Sequence, residues 1–128
     1  MLNLKIQNLG DVTVFRCAGR ITADDADGLR KAVLAQSQLR VAVLDLAEIS
    51  AVDAAGLGML AGLRNWAKAA GKQLKLMNIV PRVDEVLEIT HLRSAFEICS
   101  VREMMDLLCR AANPVQAQSQ APALAMAV

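Results

Sequence analysis

The sequence predicts an α/β domain on a mixed sheet, with parallel central strands, right-handed crossovers and an N-terminal antiparallel hairpin. Three observations carry this expectation. After the opening pair of strand-like segments, stretches of helical period alternate with stretches of strand period, the pattern of βα units. One strand segment, Val41-Ala42-Val43-Leu44, is continuously apolar, as befits a strand buried within a sheet. Hydrophobic residues make up 55% of the chain but aromatic ones only 2%, so the core is aliphatic, which suits helices laid on a sheet.

The hairpin rests on Leu4 and Ile6, then Val12 and Val14, alternating with polar neighbours on either side of Asn8-Leu9-Gly10-Asp11, a turn-forming run. After Gly19 the period changes. Thr22 is placed to cap a first helix, and Asp24, Asp25 and Asp27 suit the positive end of its dipole. Ala26, Leu29, Ala32 and Val33 mark its buried stripe. The Val41 strand ends at Asp45. Asp53 then caps a second helix over residues 54–70, which Gly71 closes, with Lys68 and Lys72 near its negative end. Leu74-Lys75-Leu76-Met77 is a further strand, and Pro81 opens a short helix with Val83, Val86 and Leu87 inward. Phe96-Glu97-Ile98-Cys99 reads as an edge strand. Ser100 and Glu103 have capping-box spacing for a last helix, with Val101, Met104, Met105 and Leu108 on one face.

These elements make one domain over residues 1–112. Residues 113–128 carry no charge and drift through Ala, Gln, Ser and Pro, the composition of a tail, either flexible or docked on the domain or a neighbour. Its apolar end, residues 121–128, is a candidate seam for a homodimer. The net charge of +1 supplies no footprint for nucleic acid or anionic lipid. Cys17, Cys99 and Cys109 are odd in number and lack metal-ligand spacing; each sits in an apolar stretch and is expected to be a buried, reduced thiol. The start lacks the basic-then-apolar layout of a secretion signal, and no apolar run approaches the ~18 residues of a membrane span. The expected location is the cytoplasm, without membrane insertion.

Open α/β sheets work beyond the carboxyl ends of their strands. The segments expected there are Gly19-Arg20-Ile21-Thr22, residues 45–56 and residues 78–81. Asp45 and Asp53 are the carboxylates placed to meet, and such a pair can hold Mg2+ or accept a phosphoryl group. No acidic pair follows an early strand, however, and no Lys follows a late one. The expected roles are therefore a backbone acceptor in a loop for Asp45 and a helix cap for Asp53. The lone His91 has no third, orienting group to pair it with a cysteine, which is poor material for nucleophilic catalysis. Gly56 and Gly58 lack the Lys and the spacing of a phosphate-binding loop. No catalytic residue, metal or cofactor is assigned, and the expected class is an interaction domain, not an enzyme.

The second helix carries two rows. Gly56, Met59, Leu60, Leu63, Ala67 and Ala70 repeat at helical spacing and should face the sheet. Ala55, Gly58, Gly62 and Asn65 form a second row of small residues. Glycine inside a helix costs ~1 kcal/mol relative to Ala, so Gly58 and Gly62 call for a reason. Either the row is a groove that admits a partner's backbone, or the tail or a neighbouring helix of the chain packs there.

Taken together, these residues resemble the STAS domain, the fold of bacterial anti-sigma-factor antagonists. The resemblance runs through Gly19-Arg20-Ile21-Thr22, through Val43-Leu44-Asp45-Leu46 into Val52-Asp53-Ala54-Ala55-Gly56-Leu57-Gly58, then Leu76-Met77-Asn78-Ile79-Val80-Pro81, Val86-Leu87-Glu88-Ile89-Thr90-His91-Leu92 and Phe96-Glu97-Ile98. The resemblance implies a non-enzymatic regulatory protein that binds a kinase-type anti-sigma factor or similar regulator. A small subunit binding the ATPase of a lipid-transport ABC complex is the alternative it allows. The partner-binding residues it implies are Gly19, Arg20, Ile21, Thr22, Ser50, Asp53, Ala54, Ala55, Gly56, Gly58 and Gly62.

In family members a kinase phosphorylates a serine of an Asp-Ser-Ser-Gly segment, and the new dianion ends binding. Here the acceptor position is Ala55, which is not phosphorylatable, and Ala54 stands at the other serine position. Thr22 replaces a common acidic residue and His91 a common glycine. Ser50, Thr22, Thr90 and Ser94 are the nearby hydroxyls. For Ser50 the choice lies between moved phospho-control and a hydroxyl that simply bonds backbone.

Overall fold

The hairpin expected from apolar alternation is present and longer than that pattern indicates. The computed structural model describes residues 2–36 and 38–112. In it β1 (Asn3–Leu9) pairs antiparallel with β2 (Val12–Ile21) without a register break, from Asn3↔Ala18 to Leu9↔Val12. The turn thus shrinks to Gly10 and Asp11. Gly19, Arg20 and Ile21, expected in a loop before the first helix, are the last residues of β2.

Helix α1 (Ala23–Leu34) leads to β3 (Val41–Val52), then α2 (Ala54–Ala69), β4 (Gln73–Met77) and α3 (Pro81–Ile89). A 3-10 turn (Arg93–Ala95), β5 (Glu97–Cys99) and α4 (Val101–Ala112) follow. The strands lie in chain order, β1-β2-β3-β4-β5, and every pair after the first is parallel. A mixed sheet results.

Strand β3 does not end at Asp45. It continues to Val52 through two bulges, where the register with β2 slips between Arg16 and Ala18 and again between Gly19 and Arg20. Each slip puts an extra residue on β3, so the inward side chains follow the spacing Leu44, Leu46, Ile49, Val52 instead of a strict alternation. A pattern search with period two stops where the first bulge begins.

The sheet separates two apolar layers. On one face Phe15, Ile21, Leu44, Leu46, Ile49 and Leu76 meet Leu29 and Val33 of α1, Leu57, Leu60 and Leu63 of α2, and Val83 and Leu87 of α3. On the other, Val12, Val14, Val43 and Cys99 meet Met104 of α4, with Met77 and Leu107 packed alongside. In α2 the buried set is Gly56, Leu57, Leu60, Leu63 and Ala67; Ala70 is exposed beyond the helix end and Leu57 joins the stripe instead. In α4 Met105 turns outward, 58% exposed, and Leu107 packs inward, so the inward stripe follows 104 and 107. The Ser100 cap is made: Glu103 N–H donates to its Oγ at 3.1 Å, while the Oγ itself donates to the Glu103 carboxylate at 3.4 Å. Cys17 and Cys99 are buried as expected, but Cys109 is exposed. The tail and its apolar end lie outside the described residues, as do the side chains of Val101 and Leu108.

Candidate functional site

Strands β2 and β3 finish side by side, and helices α1 and α2 start from the same edge. Asp53 ties these four ends together. Its Oδ1 accepts from the Gly56 N–H at 2.7 Å, the N-cap bond of α2. Its Oδ2 accepts from the Ala23 N–H at 3.1 Å, the first residue of α1. Its own N–H donates to the Ile21 carbonyl at 3.2 Å. Thr22 occupies the N-cap position of α1 but makes no side-chain cap bond, because a carboxylate remote in sequence already serves that helix. The N–H groups of Gly56 and Ala23 stabilise the anion and hold the Asp53 carboxyl below the usual carboxylate range.

Gly56 is required by space. A Cβ at this position would lie 2.1 Å from the Ile21 carbonyl oxygen, well inside contact. Helix α2 therefore starts directly on the last residue of β2. Gly19 sits in the left-handed region at φ 114°, beside the second bulge. Ser50, expected in a loop, is the residue of β3 that this bulge leaves unpaired, and its Oγ donates to the Gly19 carbonyl at 3.2 Å. That is the backbone-bonding role.

The structure thus brings the Gly19-to-Thr22 run, the Ser50-to-Asp53 run and the start of α2 into one edge. Ile21 and Gly56 are buried and shape it from beneath. Arg20, Ser50, Asp53, Ala54, Ala55, Gly58 and Gly62 are exposed on it or along the helix above. A Cβ on Gly58 or Gly62 would meet nothing within 4 Å, so no described part of the chain packs on that row. Sequence reasoning missed the contact of Asp53 with α1; no local signal points to it.

Asp45 stands apart. The bulged strand separates it from Asp53 by roughly 20 Å or more, so the two carboxylates do not meet. Asp45 Oδ1 accepts from the Ala47 N–H at 3.1 Å and from Asn78 Nδ2 at 3.2 Å, bracing the first bulge against the turn after β4; Arg16 lies 3.8 Å from its other oxygen. The backbone-acceptor role holds, within a strand instead of a loop. Burial, with the Asp45 charge adding to it, pushes the Cys17 thiol up to about 12, and it stays protonated at neutral pH. Cys17 and Cys99 face opposite layers of the sheet, and His91 is exposed at the end of α3. His91 has φ 60°, and the Leu92 N–H returns to the Leu87 carbonyl at 2.9 Å. It holds the left-handed C′ position that glycine favours, the physical reason a glycine is common there. Among the described residues no three His, Cys, Asp or Glu side chains converge on a metal site, and no helix is long and apolar enough to cross a membrane.

A five-stranded mixed sheet with three helices on one face, one on the other, and a braced helix start at its edge defines a class of small α/β domain. The sequence model of the STAS domain matches residues 3–104, and the chain belongs to the STAS domain family. The fold is similar to that of a putative anti-sigma factor antagonist from Thermotoga maritima, with TM-score 0.72 at 20% identity over 84% of this chain and 95% of that one. It is also similar to the anti-sigma factor antagonist SpoIIAA in its unphosphorylated form (TM-score 0.69, 17% identity, 83% of this chain, 96% of that one). A sulfate transporter family protein from Wolinella succinogenes shares it as well (TM-score 0.63, 20% identity, 84% of this chain, 91% of that one). At these identities the similarity is one of fold.

Proposed function

We propose that the chain is a non-enzymatic regulatory domain in the manner of an anti-sigma-factor antagonist, binding a kinase-type anti-sigma factor or similar regulator through the Asp53 edge. The observation that carries this reading is the exposure of Ala54, Ala55, Gly58 and Gly62 on one helix, at the place where the family motif falls. Small side chains there let a partner's backbone approach closely, while the anchored helix start limits the ordering cost of association. Gly19, Arg20, Thr22 and Ser50 border the same surface. The side chains of Ala54 and Ala55 offer no hydroxyl, so binding is not ended by phosphorylation at these positions.

Co-purification of the tagged chain from its native cell, followed by titration of the recovered regulator, tests this. A kinase-type anti-sigma factor should be recovered, bind equally with and without ATP, and be lost on Gly58→Gln in a variant that melts as a folded protein. Ala55→Ser should restore an acceptor, so that ATP then ends binding. Recovery of an ABC ATPase would move the function to transport. Unchanged affinity in Gly58→Gln would remove the helix face from the interface.

A further inference from the structure

We propose that the groove between the C-terminal half of α2 and residues 94–97 docks an extended acidic segment of a partner protein. The groove has a volume of about 330 Å³, and Arg64, Lys68 and Lys72 line it with Ser94 and Phe96. It concentrates positive charge in a chain whose net charge is only +1. Helix α2 itself contains no acidic residue.

Several cations elsewhere have carboxylate neighbours: Arg16 has Asp45, Arg30 and Lys31 share Asp27, and Arg93 has Asp84. Among the described residues, no carboxylate lies within ion-pair distance of Arg64, Lys68 or Lys72. The acidic side chain lining the groove, Glu97, is taken by Lys75 at 2.8 Å. The Lys72 ammonium donates once, to the Leu39 carbonyl at 2.5 Å, and keeps two further donors. Compensation of the helix dipole accounts for Lys68 in the last turn. It does not reach Arg64, a turn earlier.

Spacing selects the occupant. Arg64 and Lys68 are one helical step of four residues apart, about 6 Å along the axis. Alternate side chains of an extended strand repeat at about 6.6–6.8 Å, so carboxylates at every second position fall opposite successive cations. One phosphate cannot span that interval, and in a chain of net charge +1 three cations supply little of the counterion release that drives nucleic-acid binding. The half-buried stems of Arg64 and Lys72 and the Ser94 hydroxyl add apolar and hydrogen-bonding contact beside the charges.

The test titrates the full chain into a fluorescently labelled peptide of about ten residues alternating Glu and Ser. Binding should weaken as salt rises and fall about tenfold in Arg64→Glu/Lys68→Glu. It should persist in Arg82→Glu, which reverses an exposed cation on α3, and in Gly58→Gln. The Gly58→Gln arm separates this groove from the Asp53 edge, so either surface can fail alone. Thermal melts check that each variant folds; should the double reversal unfold, Lys68→Gln replaces it, with a smaller loss expected. Absence of peptide binding, an equal loss in Arg82→Glu, or displacement by inorganic phosphate or single-stranded RNA at matching concentration would overturn the proposal.

Discussion

Gly56 and Gly58 stand two positions apart on one helix, yet a methyl group added to each meets opposite surroundings. At Gly56 it would lie 2.1 Å from the Ile21 carbonyl oxygen, and backbone cannot yield as a side-chain tip can. At Gly58 it would touch nothing within 4 Å. The first glycine serves the fold, because the helix begins on the end of a strand. The second makes no contact in the described chain that requires a glycine, and an alanine there should favour the helix. Stability and binding should therefore separate cleanly along α2.

The largest effect expected is from Gly56→Ala. Overpacking against rigid backbone should cost about 3 kcal/mol, read as a lower urea midpoint or as failure to fold. A wild-type midpoint would mean that the strand–helix contact is looser than the geometry shows. Next comes Asp53→Ala, which removes an acceptor from the starts of both α1 and α2. Its midpoint should fall by less than that of Gly56→Ala, and amide exchange should quicken in the first turns of both helices; protection lost in α2 alone would refute the shared cap.

The same carboxylate gives a pH signature. Its folded pKa is depressed, so its contribution is complete above the unfolded value near 3.9 and is lost as pH falls through the folded value. Stability below about pH 4 should thus decline less steeply in Asp53→Asn than in the wild type. Equal slopes in acid urea titrations would assign the decline to other carboxylates, Asp27 foremost, since Arg30 and Lys31 lower it as well.

Gly58→Ala and Gly62→Ala should each stabilise the domain by about 1 kcal/mol, raising the thermal midpoint. A loss at either position would reveal a contact the described residues lack. The smallest change is expected from His91→Gly. His91 holds a left-handed conformation, and relief of its strain, less the added freedom of the unfolded chain, should leave a gain of about 0.5 kcal/mol.

Local chemistry made much of this legible beforehand. Asp53 followed by a helical period announced the N-cap of α2, Pro81 the start of α3, and Ser100 with Glu103 the start of α4. Each signal lies within a few residues of the bond it makes. The extension of β3 was hidden because two bulges break the alternation that identifies a strand. The inward face of α4 is ambiguous in sequence at Met105 because the adjacent pairs Met104-Met105 and Leu107-Leu108 fit more than one stripe.

Sequence alone determined the order of strands and helices, the cap at Asp53, and the absence of a side-chain hydroxyl at positions 54 and 55. Those properties belong to single residues or to neighbours along the chain. Only the tertiary structure decided that Asp53 also caps α1, that Ile21 makes Gly56 obligatory, and that Ser50 closes a bulge against Gly19. Each of these joins segments some thirty residues apart, and such approaches are set by how the helices pack on the sheet, for which no short stretch of residues carries a signal.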